Sequence, residues 1–421
     1  MIGQRIRYYR KTNGLTQEEL ARGICSVSYL SKIENGDAKS SEDVIELLCE
    51  RLGISPKDKQ IDVNIIGMLN EWNHLMVERK HDEVTVMKEK IDDYLPIIED
   101  PQLLIRYDLF LARYYITHKK IEEANEIIKK LDQLDKTHFD GPLKFYYNLI
   151  KGLYNYIINE YNESLKYFEE AEHFVQYTPL TQLELATYYY SLALTHTALY
   201  HNTSVINYAY KSLTIFDKEY NYTRSADCQI LLGIVNRRIN NYSQAVHHFK
   251  QALKFAESFN DKRTLGIIYH NLGLVFSNKK ESEKAIECYL KSTSIKEGSE
   301  DKTIFITYYL LAMEFFNLNK FEESRSWLEK MDKHLETIQQ LRQKDNLIHY
   351  NVLKMRLNNA TGKEYESFLK KEVIPYFQDK NIMEFVCKYA TLLAEYYYEN
   401  SQYKNSSEYY KLALQAGSNF S

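Results

Sequence analysis

The sequence is poor in residues that interrupt helices and lacks the patterns that support catalysis. Its 421 residues include 6 prolines and 14 glycines, so few positions favour turns or break helical hydrogen bonding. The 5 cysteines are scattered and none lies within four residues of another, which excludes a zinc or redox pair. There is no phosphate-binding loop, nucleophile elbow or paired Cys/His set. We therefore expect no catalytic centre, no metal site and no cofactor.

Signals for export and for membrane insertion are also missing. No stretch approaches the roughly 20 apolar residues that cross a bilayer. The N-terminal segment MIGQRIRYYRK contains no apolar run typical of a signal peptide. Scattered cysteines in odd number suit buried thiols in a reducing compartment. The sequence thus predicts a cytoplasmic protein with no membrane partner.

The composition that remains is typical of a globular, all-α chain. Hydrophobic residues make up 44% and charged residues 27%, and the scarcity of helix breakers favours helices throughout. The net charge is −4, so binding to nucleic acid would need a local basic patch. Tyrosine is frequent at 37, and we attribute most of these tyrosines to packing between helices.

Residues 15–36, LTQEELARGICSVSYLSKIENG, predict two short helices joined by a tight turn. Thr16 and Glu19 have the spacing of a capping box, and Ser26 or Ser28 can cap the second helix. A helix-turn-helix of this kind places the start of its second helix at base edges in the major groove. A small helical cap on a larger protein is the alternative interpretation.

The candidate DNA-contacting residues lie near the starts of these two helices. Small hydroxyl side chains allow close approach, a tyrosine or lysine can reach a phosphate or base, and an amide at a helix N-terminus can hold a phosphate. These candidates are Gln17, Ser26, Val27, Ser28, Tyr29 and Lys32. Residues 1–57 contain only 9 basic against 8 acidic residues, so we expect a dimer that gains affinity from two half-sites.

A repeat of about 40 residues occupies the rest of the chain. Anchor residues, mostly small, recur every 39 to 41 positions, at Trp72, Ala112, Gly152, Ala193, Gly233, Gly273, Ala312, Leu353 and Ala394. The clearest copies carry an aromatic residue 16 positions after the anchor. The pattern predicts nine helix pairs, which stack into a right-handed superhelix with an extended concave face. We expect each aromatic ring to pack against the next pair.

A concave repeat surface suits an extended peptide, whose unpaired backbone groups require polar partners. Asn271 is the leading candidate, with His270 beside it and Asn278 further along the same predicted helix. Asn236 and Arg237 lie on the preceding pair, where the guanidinium can hold a carboxylate. The alternative is that these amides bond neighbouring helices or solvent.

Specific motifs carry a resemblance to known families. LTQEELA, YLSKIENG and LCERLGIS resemble the Cro/repressor-like (XRE-type) helix-turn-helix domain, although the RGICSVS turn is one residue shorter than the commonest form. The repeats resemble tetratricopeptide repeats. Together they are similar to the peptide-pheromone-responsive quorum-sensing regulators, the group of Rap, Rgg, NprR, PlcR and PrgX, and most like the NprR type. YHNLG matches the position where asparagine binds the peptide backbone in that group.

The resemblance implies a DNA-binding domain at 1–57, a linker at 58–64 and a peptide-binding repeat domain at 65–421. It implies a cytoplasmic, non-enzymatic transcription regulator of a double-stranded DNA operator. A short imported oligopeptide would switch it by resetting a homodimer or tetramer, and an apolar face on the last helix pair is expected to form the dimer contact. Two alternatives stay open: sequestration of a sporulation phosphorelay protein by the peptide-free chain, and a phage arbitrium-type lysis-lysogeny receptor.

Overall fold

The computed structural model describes residues 2–36, 41–54, 65–98, 100–297, 304–337, 344–358 and 362–418. These residues form helices and contain no strand, which confirms the all-α prediction. Among them, no helix is both long enough and apolar enough to span a bilayer. The predicted linker at 58–64 lies outside the described residues.

Four short helices form the N-terminal part of the chain: α1 (Ile2–Thr12), α2 (Gln17–Ala21), α3 (Val27–Asn35) and α4 (Glu42–Leu52). The capping box at the start of α2 is present, because Thr16 accepts from the Glu19 amide while the Glu19 carboxylate accepts from the Thr16 amide. Ser26 caps α3 by accepting from a backbone amide. Each cap satisfies amides that a helix leaves unpaired at its first turn.

Nine helix pairs follow among the described residues. In chain order they are α5 (Ile65–Glu78) with α6 (His81–Asp92), α7 (Pro101–Thr117) with α8 (Ile121–Asp132), α9 (Gly141–Ile157) with α10 (Tyr161–Glu172), α11 (Gln182–Ala198) with α12 (Asn202–Lys218), α13 (Tyr222–Arg238) with α14 (Tyr242–Ser258), α15 (Lys262–Asn278) with α16 (Ser282–Lys296), α17 (Ile304–Asn317) with α18 (Phe321–Thr337), α19 (Lys344–Leu357) with α20 (Lys363–Phe368) and α21 (Ile374–Asp379), and α22 (Met383–Glu399) with α23 (Tyr403–Ser418). A π-helical segment, Leu369–Val373, joins α20 to α21.

The 40-residue period is visible in the backbone as well as in the sequence. Seven residues after eight of the nine anchors, the chain turns between the two helices of a pair through a residue with φ between 57° and 67°. These residues are Arg79, Lys119, Asn159, Tyr200, Asn240, Lys280, Asn319 and Ser401. Residues other than glycine rarely adopt this left-handed backbone conformation. Its regular recurrence therefore shows that one turn geometry is repeated along the chain.

The small anchors permit close packing of the two helices within a pair. A methyl group added at Gly152 would lie 2.5 Å from the ring of Phe168, and one added at Gly233 would lie 2.6 Å from the ring of Phe249. The prediction that these rings pack against the next pair is therefore incomplete, because each ring also packs directly on the anchor glycine of its own pair. Phe168 also meets the next pair, where the hydroxyl of Tyr188 donates to its carbonyl at 2.8 Å.

The chain divides into two compact units, Met1–Leu231 and Leu232–Ser421. The first unit contains the four N-terminal helices together with the first four helix pairs. The boundary falls inside α13, and the second unit contains the remaining pairs. Each unit has its own buried apolar clusters. The predicted DNA-binding residues lie in the first unit, and the predicted peptide-binding residues lie in the second.

Candidate DNA-binding and peptide-binding sites

The first turn of α3 presents small side chains to solvent. Ser26, Val27 and Ser28 are exposed, and the Val27 side chain is 43% accessible although it is apolar. Lys32 is exposed one turn later, while Tyr29 is half-buried against the apolar cluster of the four N-terminal helices. An exposed valine beside two hydroxyls on a helix N-terminus suits contact with base edges and a thymine methyl group.

A buried ion pair holds the opposite side of α3. Both oxygens of the Glu34 carboxylate accept from the Arg10 guanidinium, at 2.6 Å and 2.8 Å, and Glu34 is 1% exposed. Arg10 also donates to the carbonyl of Leu15 at 3.0 Å. Two parallel hydrogen bonds fix direction as well as distance. The pair therefore fixes α3 against α1 and orients its exposed first turn.

Gln17 begins α2 as predicted, but it has a partner inside the protein that was not predicted. Its side-chain amide donates to Glu34 at 2.8 Å, so one of its two hydrogens is used inside the protein. In this arrangement Gln17 extends the ion pair to α2 and positions α3. Its second amide hydrogen can be donated to a phosphate, and its carbonyl oxygen can accept from water. The sequence did not point to Glu34, because a single glutamate on a polar helix gives no signal of burial.

The two candidate asparagines of the second unit share one geometry. Asn236 on α13 donates its side-chain amide to the carbonyl of Leu232 at 2.8 Å, and Asn271 on α15 donates to the carbonyl of Ile267 at 2.9 Å. Both side chains are buried, at 7% and 9% exposure. Each amide thus bonds its own helix four residues back. The side-chain oxygen can accept from a peptide amide, and the second hydrogen of the side-chain amide can be donated to a peptide carbonyl.

Charged and polar groups surround the ring of Tyr289 in the same unit. The Tyr289 hydroxyl is buried, and burial, followed by the nearby Glu314 carboxylate, raises its pKa well above the usual value, while the Arg237 guanidinium opposes this rise. The side chain of Glu314 is 3% exposed and accepts from the Ser277 hydroxyl. The Nε atom of Arg237 is buried and has no hydrogen-bond partner within the described part of the chain.

The structure brings His270 into this cluster and leaves Asn278 outside it. The His270 ring lies 6.1 Å from the Tyr289 ring, and its Nδ1 atom is 3.0 Å from the Thr307 hydroxyl. Asn278 is the exposed last residue of α15. The burial of Glu314 and the contact of Thr307 with His270 were not predicted, since the sequence of α17 is mostly hydrophobic.

Comparison with known proteins identifies both parts of the chain by family. Residues 6–59 match the helix-turn-helix family, and residues 267–298 match the tetratricopeptide repeat family. The chain is 34% identical over 404 residues to the transcriptional activator NprA of Geobacillus stearothermophilus, covering 94% of this chain and 98% of NprA.

Two solved structures share the fold. The quorum sensor NprR in complex with its cognate peptide NprX is similar with a TM-score of 0.66 at 23% identity, over 85% of this chain and 99% of NprR. A Rap protein complexed with competence and sporulation factor is similar with a TM-score of 0.71 at 16% identity, over 85% of this chain and 98% of Rap. These likenesses confirm the predicted repeat fold.

Proposed function

Because the chain belongs to the family of the transcriptional activator NprA, we propose that it is a transcriptional regulator that binds operator DNA through its N-terminal helices and responds to a short peptide. We place the DNA-binding domain at residues 1–57 and the peptide-binding repeats at residues 65–421. DNA as the partner implies that the protein acts in the cytoplasm. The observation that supports this function best is the exposed first turn of α3, held from behind by the buried Arg10–Glu34 pair.

DNA binding can be tested without knowing the operator. A duplex is first selected from random sequences with the full-length protein, and binding is then measured over a series of salt concentrations. We expect Lys32→Ala to weaken binding and to reduce the salt slope by about 1, as for loss of one phosphate contact. Lys166→Ala is the matched control, because Lys166 is an exposed lysine on α10. Failure to select any sequence, or equal effects of the two variants, would contradict this role of α3.

Peptide binding is proposed for the α13–α15–α17 surface of the second unit. NprR, which shares this fold, was crystallised with a peptide, and Asn271, Asn236 and Arg237 offer the polar groups that an extended backbone needs. Sedimentation of the full-length protein with short peptides from the culture medium of its own organism should reveal a change in mass. We expect Asn271→Ala to abolish this change.

A matched control exists for the asparagine substitution. The side-chain amide of Asn400, at the end of α22, donates to the carbonyl of Tyr396 four residues back, at 2.8 Å. Asn400→Ala removes that bond as Asn271→Ala does, yet it should leave the peptide response intact. A response lost equally in both variants would assign the effect to helix stability and would refute the proposed site.

We also propose that the protein self-associates through α23. Tyr403, Tyr410 and Leu414 recur on one face of this helix at 62%, 39% and 75% exposure. Apolar residues this exposed at helical spacing are typical of an interface. Leu414→Glu should shift the sedimenting species to a monomer, whereas Lys404→Glu, on the same helix, should not. Persistence of the dimer or tetramer in Leu414→Glu would place the interface elsewhere.

We propose a non-enzymatic role, although several more distant relatives are called response regulator aspartate phosphatases. The 34% identical relative is a transcriptional activator, and this likeness supports the non-enzymatic role. A phosphorylated response regulator should therefore lose phosphate at the same rate with and without this protein. Retention of that regulator on the immobilised protein would instead favour the sequestration alternative.

A further inference from the structure

Helix α1 belongs to two apolar clusters at once. Tyr8 is 8% exposed, and it packs in the cluster of the first helix pairs rather than in that of the four N-terminal helices. Tyr9 contacts both clusters, and its ring meets the ring of Tyr8 edge to face at 5.4 Å between centroids. All of these residues lie in the unit Met1–Leu231. The N-terminal helices are therefore packed on the repeats and are not joined to them by the chain alone.

Two polar contacts accompany this packing. The Tyr8 hydroxyl donates to the Asp108 carboxylate on α7, and the Arg5 guanidinium donates to the carbonyl of Pro96. Arg5 is 1% exposed. Buried hydrogen bonds to a charged group contribute more than neutral ones and are costly to break. The contact thus has one defined geometry, which an apolar patch would not impose.

The contact leaves the DNA-reading surface open. Ser26, Val27 and Ser28 on α3 remain exposed while α1 is packed on α7. The Arg10–Glu34 pair connects α1 directly to α3. Helix α1 therefore contacts α7 through Tyr8 and contacts α3 through Arg10.

We propose that the contact between α1 and α7 is a docking surface that fixes the reading helix relative to the first repeats, and that it thereby sets the half-site spacing a dimer accepts. This inference rests on the proposed function in DNA binding. Half-sites on one face of B-DNA are separated by about 34–36 Å or multiples of it. A dimer of docked domains can bind half-sites at one such spacing, whereas domains free to move on a linker could bind half-sites at several spacings.

Docking itself can be measured without DNA, by hydrogen exchange of the full-length protein. Tyr8→Phe removes only the hydroxyl that Asp108 accepts from, and Asp108→Ala breaks the same bond from the other side. We expect exchange in α3 and α4, the helices that α1 holds in place, to accelerate about tenfold or more in both variants. Tyr9→Phe is the control, since no hydrogen bond of the Tyr9 hydroxyl occurs within the described residues.

The consequence for spacing is measured with the selected duplex and derivatives in which the spacer is longer by one to five base pairs. The unaltered protein should lose binding by about tenfold or more at a half-turn insertion, while Tyr8→Phe should bind all spacers within about threefold of one another. Asp108→Asn keeps an oxygen for Tyr8 and should retain the strict spacing.

The outcomes separate the two proposals. Unchanged exchange in both Tyr8→Phe and Asp108→Ala would refute docking, whatever the protein does with DNA. Accelerated exchange with an unchanged spacing preference would refute the role in spacing. Absence of any DNA selected by the unaltered protein would refute the proposed function while the exchange result still decides whether the domain is docked.

Discussion

The buried carboxylate of Asp108 gives a quantitative test of how the N-terminal helices are attached. Burial raises the pKa of Asp108 from 3.8 to about 6, against the opposing effects of the Tyr8 hydroxyl and the Lys130 ammonium. Tyr8, Tyr9 and Tyr107 are also near it, and burial raises the pKa of each tyrosine above its usual value. Near neutral pH Asp108 is therefore charged in a place that disfavours the charge.

The magnitude follows from the two pKa values. A difference of about two units, at 1.36 kcal/mol each, costs about 3 kcal/mol of folding free energy well above pH 6. Because the folded-state value is the higher one, this cost falls as the pH falls through 6 and is gone below the unfolded value near 4. At pH 5 about half of it remains. Asp108→Asn removes the charge and keeps an oxygen that accepts from Tyr8.

We therefore expect Asp108→Asn to stabilise the first unit by about 3 kcal/mol at pH 7.5 and by about half as much at pH 5. The assay is urea denaturation followed by the fluorescence of Trp72, in a Trp327→Phe background, because Trp72 is the tryptophan of the first unit. Asp93→Asn is the control, since Asp93 is exposed at the end of α6. Its effect should stay below about 0.5 kcal/mol at both pH values.

Two results would refute this reasoning. Destabilisation by Asp108→Asn at pH 7.5 would mean that the charged hydrogen bond to Tyr8 outweighs the cost of burial. A stabilisation independent of pH would show that it arises from something other than removal of the charge. Either result would also change the expected behaviour of the docking contact, because the same carboxylate accepts from Tyr8.

The remaining predictions concern the two kinds of packing on which the fold depends. Glu34→Gln leaves the buried guanidinium of Arg10 without its counter-charge, and loss of one partner of such a pair costs about 3–5 kcal/mol. Circular dichroism should show that the N-terminal helices unfold, and DNA binding should be lost, while the tryptophan fluorescence of the repeats is unchanged. Gly233→Ala forces the ring of Phe249 to move and should destabilise the second unit by about 1–3 kcal/mol in urea denaturation, despite the better helix propensity of alanine. Gly417→Ala, whose nearest contact would be an ordinary 3.7 Å, should be neutral or slightly stabilising, and a neutral Gly233→Ala would contradict the role of the anchor.

Local patterns were sufficient for most of the fold. The capping box at Thr16 and Glu19 depends on four consecutive residues, so it could be predicted from the sequence and is present. The anchors at Gly152 and Gly233 could be found because a repeated unit must bury the same face in each copy. The recurrence of one small residue every 40 positions therefore predicted the helix pairs and their close packing.

The site residues were predicted less completely, for a physical reason. Asn271 was proposed from its local motif, but its bond to Ile267 depends on which side-chain rotamer the packing of the helix allows. Gln17 lies at a helix start as predicted, yet its amide bonds Glu34, seventeen residues away. Contacts between distant residues leave no trace in the spacing of either one.

The sequence by itself determined that this chain is a helical repeat preceded by a helix-turn-helix, because helix periodicity, caps and repeat length are encoded by neighbours along the chain. Only the tertiary structure decided that Tyr8 is buried against α7 and bonded to Asp108, one hundred residues away. A tyrosine on α1 satisfies the apolar pattern of its own helix whether it faces its own domain or the repeats. Burial of a hydroxyl and a carboxylate together depends on the assembled surfaces, and those surfaces exist only in the folded protein.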